Sequence, residues 1–398
     1  MLDFLVRTVA PRRRVKITTF AIVVVAALAL PTAAGAQGTA GSSGTTVTFT
    51  AGLADTNNVT IGWDGSRFVI SDSGATVRAG TGCVQSGANA VKCGSSATTR
   101  FSGALGAGND QLVVSSLGVP SAKAVVVDAG AGDDAVLTDL SSATESLTGG
   151  DGSDHLLAGN GNDTVSGGLG NDIVRGGPGN DVVHGDDGDD QVQPNAGADS
   201  AYGDAGDDSI LLYETAPDGA DLLDGGPGTD TVQYRAGFNP VSVTLDNGAN
   251  DGPLGDSDNV IVENIGSGFG SSSTAFRDND SLTGSENANF LNSGRGDDKV
   301  SGLGGNDTVL GAEGADTLDG GAGDDSLFGD FATYSSSGNG DDTITGGTGR
   351  DTISAGAGDD VVFANDGEAD NVTCGLGVDT VHADALDAVA SDCEVVTG

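Results

Sequence analysis

The chain has 398 residues, of which 68 are glycine, 4% are aromatic and one is methionine. A core of large side chains, the ordinary means of ordering a globular domain, is excluded by that composition. A formal charge of −42 excludes nucleic acid as a natural partner, since phosphate binding needs basic surface, and points to cations instead.

In chain order, the first expected element is an export signal. "RTVAPRRRVK" is a basic stretch, "FAIVVVAALAL" (20–30) an apolar one, and Ala34-Gly35-Ala36 an A-x-A cleavage site. The apolar run is about half of the roughly 20 residues that span a bilayer, so a signal peptide over 1–36 is expected and no stable membrane span after processing. Four cysteines follow it, and an even count in an exported chain predicts two disulfides. Cys83 with Cys93 and Cys374 with Cys393 are the expected pairs, because short loops close at the lowest entropy.

Residues 45–101 carry short strand patterns, "TTVTFT", "NVTIGW" and "RFVIS", with Asp64-Gly65 marking a tight hairpin. They predict an N-terminal β cap over 37–104, with Trp63 as a packing residue on a strand.

From residue 105 the chain repeats itself at intervals of nine. "GGDGSDHLL" (149), "AGNGNDTVS" (158), "GGLGNDIVR" (167) and "GGPGNDVVH" (176) are successive copies, and "GLGGNDTVL" (302) and "GGAGDDSLF" (320) belong to a second block. Six positions favour Gly, Asn and Asp, the types that tolerate positive φ in turns, and three read outward, inward, outward. The inward eighth position is Leu156, Val165, Val174, Val183, Val192, Ala201 and Ile210. Two such repeats make one coil of a solenoid, with strands stacked in parallel about 4.8 Å apart. The expected divisions are a first block over 105–233, an irregular β spacer over 234–283, a second block over 284–382 and a C-terminal cap over 383–398. Within the spacer, Asp246, Asp251, Asp256 and Asp258 form an acidic loop.

Burying one Val or Leu contributes roughly 1.5–3 kcal/mol, whereas ordering nine backbones costs on the order of 9–18 kcal/mol. The coil also lines up Asp154, Asp172, Asp190 and Asp208 on one edge and Asp163, Asp181 and Asp199 on the other, where like charges repel. A hard divalent cation between coils turns that repulsion into cohesion. Calcium suits an irregular shell of six to eight carboxylate and carbonyl oxygens; magnesium demands a tighter octahedron.

"GGLGNDIVR" and "GGPGNDVVH" resemble the RTX, or haemolysin-type, calcium-binding nonapeptide G-G-x-G-x-D-x-U-x. The resemblance implies an all-β fold, a parallel β-roll (β-solenoid) with multiple Ca2+ ions between turns, held by the sixth-position Asp and by turn carbonyls. Its implied ligands are Asp154, Asp163, Asp172, Asp181, Asp190, Asp199, Asp208 and Asp230, then Asp298, Asp307, Asp316, Asp325, Asp342, Asp351 and Asp360. Two turns depart from the pattern: "PNAGADSAY" puts Pro194 and Asn195 at the leading glycines, and "GSENANFLN" puts Asn289 in place of Asp.

No catalytic residues are expected. His155, His184 and His382 fall at outward or turn-edge positions, and neither H-E-x-x-H nor G-x-S-x-G occurs. The expected function is an extracellular calcium-binding β-roll that folds on calcium, with a surface or matrix role. The alternatives are a calcium-dependent adhesin that binds cell-surface or matrix polysaccharide, and the non-catalytic tail of an enzyme.

Overall fold

The computed structural model describes residues 37–52, 56–95, 98–115, 124–139, 143–213, 219–234, 241–245, 252–253, 259–261, 264–267, 279–330 and 340–398. The expected signal peptide and the acidic loop at Asp246, Asp251, Asp256 and Asp258 lie outside them. The described residues form strands and turns, and no helix among them is long and apolar enough to cross a membrane.

The repeat sets the coil. Strand Thr164–Leu169 pairs in parallel with Val182–Asp187, placing Val165 beside Val183. Ile173–Arg175 pairs likewise with Gln191–Gln193, placing Val174 beside Val192. Partners are thus two repeats apart, and alternate repeats fall on opposite sheets. Between the sheets lies a core one side chain deep, in which Val165, Val174, Val183 and Val192 have no exposed surface. This is the all-β parallel β-roll expected from the repeat.

The turns need left-handed backbone at the second and fourth positions, as in Gly168 (φ 118°) and Gly170 (φ 115°). At five second positions where glycine is replaced, Asp186, Asn195, Asp204, Leu303 and Ala312, the left-handed conformation persists (φ 69–80°). At Leu303 and Ala312 the repeat geometry therefore overrides the local preference of the residue.

Among the described residues, one sheet of eighteen strands carries one face of the stack from the hairpin Cys83–Gly87 and Ala90–Cys93 to Ala388–Val389. The opposite face is divided. An eleven-stranded sheet ends at Asn259–Ile261, and a nine-stranded sheet begins with Gly252–Pro253 and Val241–Thr244. Through the spacer, Asn264–Ser267 pairs with Thr231–Tyr234 on one side and Phe290–Arg295 on the other, so the two repeat blocks share a sheet.

The non-repetitive start is built into the same stack. Thr46–Thr50 pairs in parallel with Arg100–Ala107, and Asn58–Trp63 with Gln111–Ser115, so these two strands already stack as the repeat strands do. Asn58–Trp63 and Phe68–Asp72 make the hairpin at Asp64-Gly65, where Asp64 Oδ1 accepts the N–H groups of Ser66 and Arg67, each at 2.9 Å. Trp63 packs edge-on to Phe68, ring centres 5.2 Å apart. Both expected disulfides are formed. Cys83–Cys93 links opposed residues of one hairpin, and Cys374–Cys393 ties strand Asn371–Leu376 to the C-terminal segment.

Candidate metal centres

The sixth-position Asp ends each turn just before a strand, so stacked coils bring these residues into columns. The N–H of Asp154 donates to Asp172 Oδ1 at 2.6 Å, that of Asp172 to Asp190 Oδ1 at 2.7 Å, and that of Asp190 to Asp208 Oδ1 at 2.8 Å. On the other edge Asp163 donates to Asp181 and Asp181 to Asp199, both at 2.7 Å. Asp230 continues the first column as acceptor from Asp208 at 2.9 Å. The second block repeats the arrangement. Asp298, Asp316, Asp342 and Asp360 form one column and Asp307, Asp325 and Asp351 the other, with successive bonds of 2.8–2.9 Å. The structure brings every sequence-predicted ligand into one of these columns.

In twelve of these side chains the other carboxylate oxygen has no such partner. Oδ2 of Asp154, Asp163, Asp172, Asp181, Asp190 and Asp208, and of Asp307, Asp316, Asp325, Asp342, Asp351 and Asp360, is buried without a hydrogen bond. Unsatisfied buried oxygens are costly and rare, and a row of them calls for a ligand. They face the first-position residue of their own turn and a carbonyl of the next coil. A Cβ added to Gly176 would lie 2.6 Å from Asp181 Oδ2 and 2.8 Å from Pro194 O. Gly167, between Asp172 Oδ2 and Gly185 O, and Gly185, between Asp190 Oδ2 and Gly203 O, are crowded in the same way.

Each cradle thus offers a carboxylate oxygen and a backbone carbonyl where a side chain is missing. That donor set fits calcium, which takes oxygens at 2.3–2.6 Å without strict geometry. Bound there, calcium would be held by the sixth-position carboxylates and the turn carbonyls and would supply the positive charge that the columns need. Without it, burial pushes Asp172, Asp181 and Asp190 up to about 7, with nearby carboxylates adding to the effect. Asp342 is pushed up to about 9, by burial first and then by Asp316, Asp360 and Asp330.

The two departing turns differ. Asn195 keeps the left-handed backbone, and the Pro194 carbonyl still accepts the Gly177 N–H at 3.1 Å, so the turn retains its carbonyl ligand. Asn289 uses its Oδ1 to accept the Ser285 N–H at 2.7 Å, closing its turn with a neutral amide.

The columns also extend beyond the predicted set. Asp110 donates through its N–H to Asp134 and Asp134 to Asp154, at 2.6 and 2.7 Å. Glu145 heads the second column, donating to Asp163 at 2.7 Å. Asp199 continues to Asp221, Asp351 to Asp370 and Asp360 to Asp379, at 2.7–2.9 Å. "LGAGNDQLV" (105), "AGAGDDAVL" (129) and "CGLGVDTVH" (374) carry the signal for Asp110, Asp134 and Asp379. Asp221 and Asp370 follow insertions that shift the nine-residue frame, and Glu145 is a different residue type.

The family model for the RTX calcium-binding nonapeptide repeat, which comprises four copies, matches residues 141–174, 148–183, 166–201, 184–212, 218–239, 274–309, 301–332 and 336–368. Among curated proteins none matches this chain. The family matches coincide with the coils whose carboxylates form the columns, and they stop short of Asp110 and Asp134 at one end and Asp370 and Asp379 at the other. With its tandem nonapeptides folded into a parallel β-roll and its turns lined by oxygen donors, this chain belongs to the RTX calcium-binding nonapeptide-repeat family.

Proposed function

We propose that the protein is exported, that calcium outside the cell folds its roll at many sites, and that the folded roll serves as a stiff, acidic surface or matrix component without a catalytic role. The observation that carries this reading is the set of buried carboxylate oxygens without partners, at Asp154, Asp163, Asp172, Asp181, Asp190 and Asp208 and again at Asp307, Asp316, Asp325, Asp342, Asp351 and Asp360. Folding a metal-free chain against such a row is opposed by its own charge, and a cation bound only by the folded state reverses the balance. The two disulfides suit an oxidising compartment.

Circular dichroism of the metal-free mature chain, titrated with calcium and then with magnesium, tests the proposal. A coil-to-β transition is expected at millimolar calcium, the range typical of extracellular modules, with reversal by chelator and no equivalent response to magnesium. Full β structure with no metal found by elemental analysis would show that calcium does not fold the roll.

A further inference from the structure

Away from the columns, the outer surface of the first block carries a histidine between two aspartates. In the paired strands Thr164–Leu169, Val182–Asp187 and Ser200–Ala205, Ser166, His184 and Tyr202 are neighbours in one row, and Asp186 and Asp204 in another. His184 Nδ1 lies 2.7 Å from Asp204 Oδ2, with the two side chains 33% and 38% exposed. Asp186 Oδ2 accepts the Ser166 hydroxyl. One ligand atom from each of His184, Asp186 and Asp204 lies within 4.8 Å of the other two. The imidazole is held flat on Tyr202, ring centres 4.6 Å apart and planes 9° from parallel.

We infer that His184, Asp186 and Asp204 form a binding site for a divalent transition-metal ion of the zinc class, separate from the calcium columns. An ion pair with the imidazole needs one carboxylate; here a second converges on the same ring. Asp186 and Asp204 both hold left-handed backbone at the second repeat position, where the preceding coil has Gly168. His382 supplies the contrast. It is stacked on Phe363 in the same manner, ring centres 4.8 Å apart, but its Nδ1 meets the Thr397 hydroxyl at 2.8 Å.

Imidazole with carboxylates suits zinc, copper or nickel, whereas calcium prefers oxygen donors alone. Ligands at about 2.0–2.2 Å from a tetrahedral ion stand roughly 3.3 Å apart, a closure within reach of rotating, partly exposed side chains. The Ser166 hydroxyl fixes one carboxylate and the Tyr202 ring fixes the imidazole, the outer support that metal ligands need.

The test uses the folded mature chain at saturating calcium, titrated with Zn2+ by calorimetry while bound calcium is counted by elemental analysis. One equivalent of zinc should bind without release of calcium. His184→Gln and Asp204→Asn should each weaken it at least tenfold, and His382→Gln should not; asparagine tolerates the left-handed backbone at 204. An unchanged calcium count verifies that the variants fold. Zinc affinity unaltered in His184→Gln, zinc taken up only in exchange for calcium, or no zinc bound at millimolar concentration would overturn the assignment. The site needs the stacked coils but no calcium ligand, so a chain that folds and binds zinc without binding calcium would refute the proposed function and leave this inference standing.

Discussion

At Asp172 one oxygen is held by the N–H of Asp154 and the other is buried without a partner, beside the backbone of the next coil. The side chain therefore serves the sheet and the cation at once, and removing it affects both. The double variant Asp172→Ala, Asp181→Ala is expected to lose bound calcium by calorimetry and to need more calcium to fold. Each change also deletes a hydrogen bond to a charged acceptor, worth about 1.5–3 kcal/mol. Unchanged stoichiometry and midpoint would show that these carboxylates are not ligands. Gly167→Ala tests the cradle without touching a ligand, since its Cβ would crowd Asp172 Oδ2 and the Gly185 carbonyl. Alanine occurs naturally at the first position in Ala158 and Ala355, both buried, so the roll should still form. The expected outcome is a β spectrum at saturating calcium together with weaker calcium affinity, and unaltered affinity would mean that the cradle is not the site.

Strands of three to six residues give each element little cohesion of its own, because each contributes about one aliphatic side chain to the core. Val174 sits between Leu156 and Val192 in its sheet. Val174→Ala should cost on the order of 1–3 kcal/mol, and the loss should persist at saturating calcium because no ion refills the missing methyl volume. Denaturant unfolding at high calcium separates this variant from the aspartate variants, in which a site that refills recovers much of the deficit. At the last coil, Cys374–Cys393 closes a loop with a sequence separation of 19. Replacing both with Ser should cost about 3 kcal/mol by the loop-entropy model, with hydrogen exchange accelerated first in the strands Asn371–Leu376 and Val395–Thr397. Exchange rising equally along the whole roll would contradict a local role.

Over the whole molecule the columns make calcium and protons alternative means of neutralising the same buried charge. Asp163, Asp351 and Asp360 are pushed up to about 6, and Asp134, Asp172, Asp181, Asp190 and Asp316 to about 7, with burial as the leading cause. A carboxyl raised in the folded state holds a proton that the unfolded chain releases. Its contribution is therefore complete below the ordinary value near 4 and is lost as pH rises through 6–7. Metal-free protein, freed of calcium by resin, is expected to gain β structure on acidification from pH 8 to pH 5, followed by circular dichroism. With calcium present the sign reverses, since protons compete for its ligands and acid raises the calcium midpoint. β content independent of pH in the metal-free chain would refute the linkage. Much of this was legible in the sequence, because a nine-residue period with one inward aliphatic and one sixth-position Asp admits a stacked coil with two acidic edges. The disulfide pairs were legible too, from chain separation alone. Tertiary structure decided the rest, because residues 18 to 26 positions apart become neighbours only when coils stack. Stacking carries the columns past the consensus to Glu145, Asp221 and Asp370, commits one oxygen of each sixth-position Asp to a backbone N–H, and runs one sheet through the spacer. It also brings Asp204 to His184, a meeting that the nine-residue pattern does not encode, because His184 stands on the variable ninth position and Asp204 replaces the consensus glycine of the second.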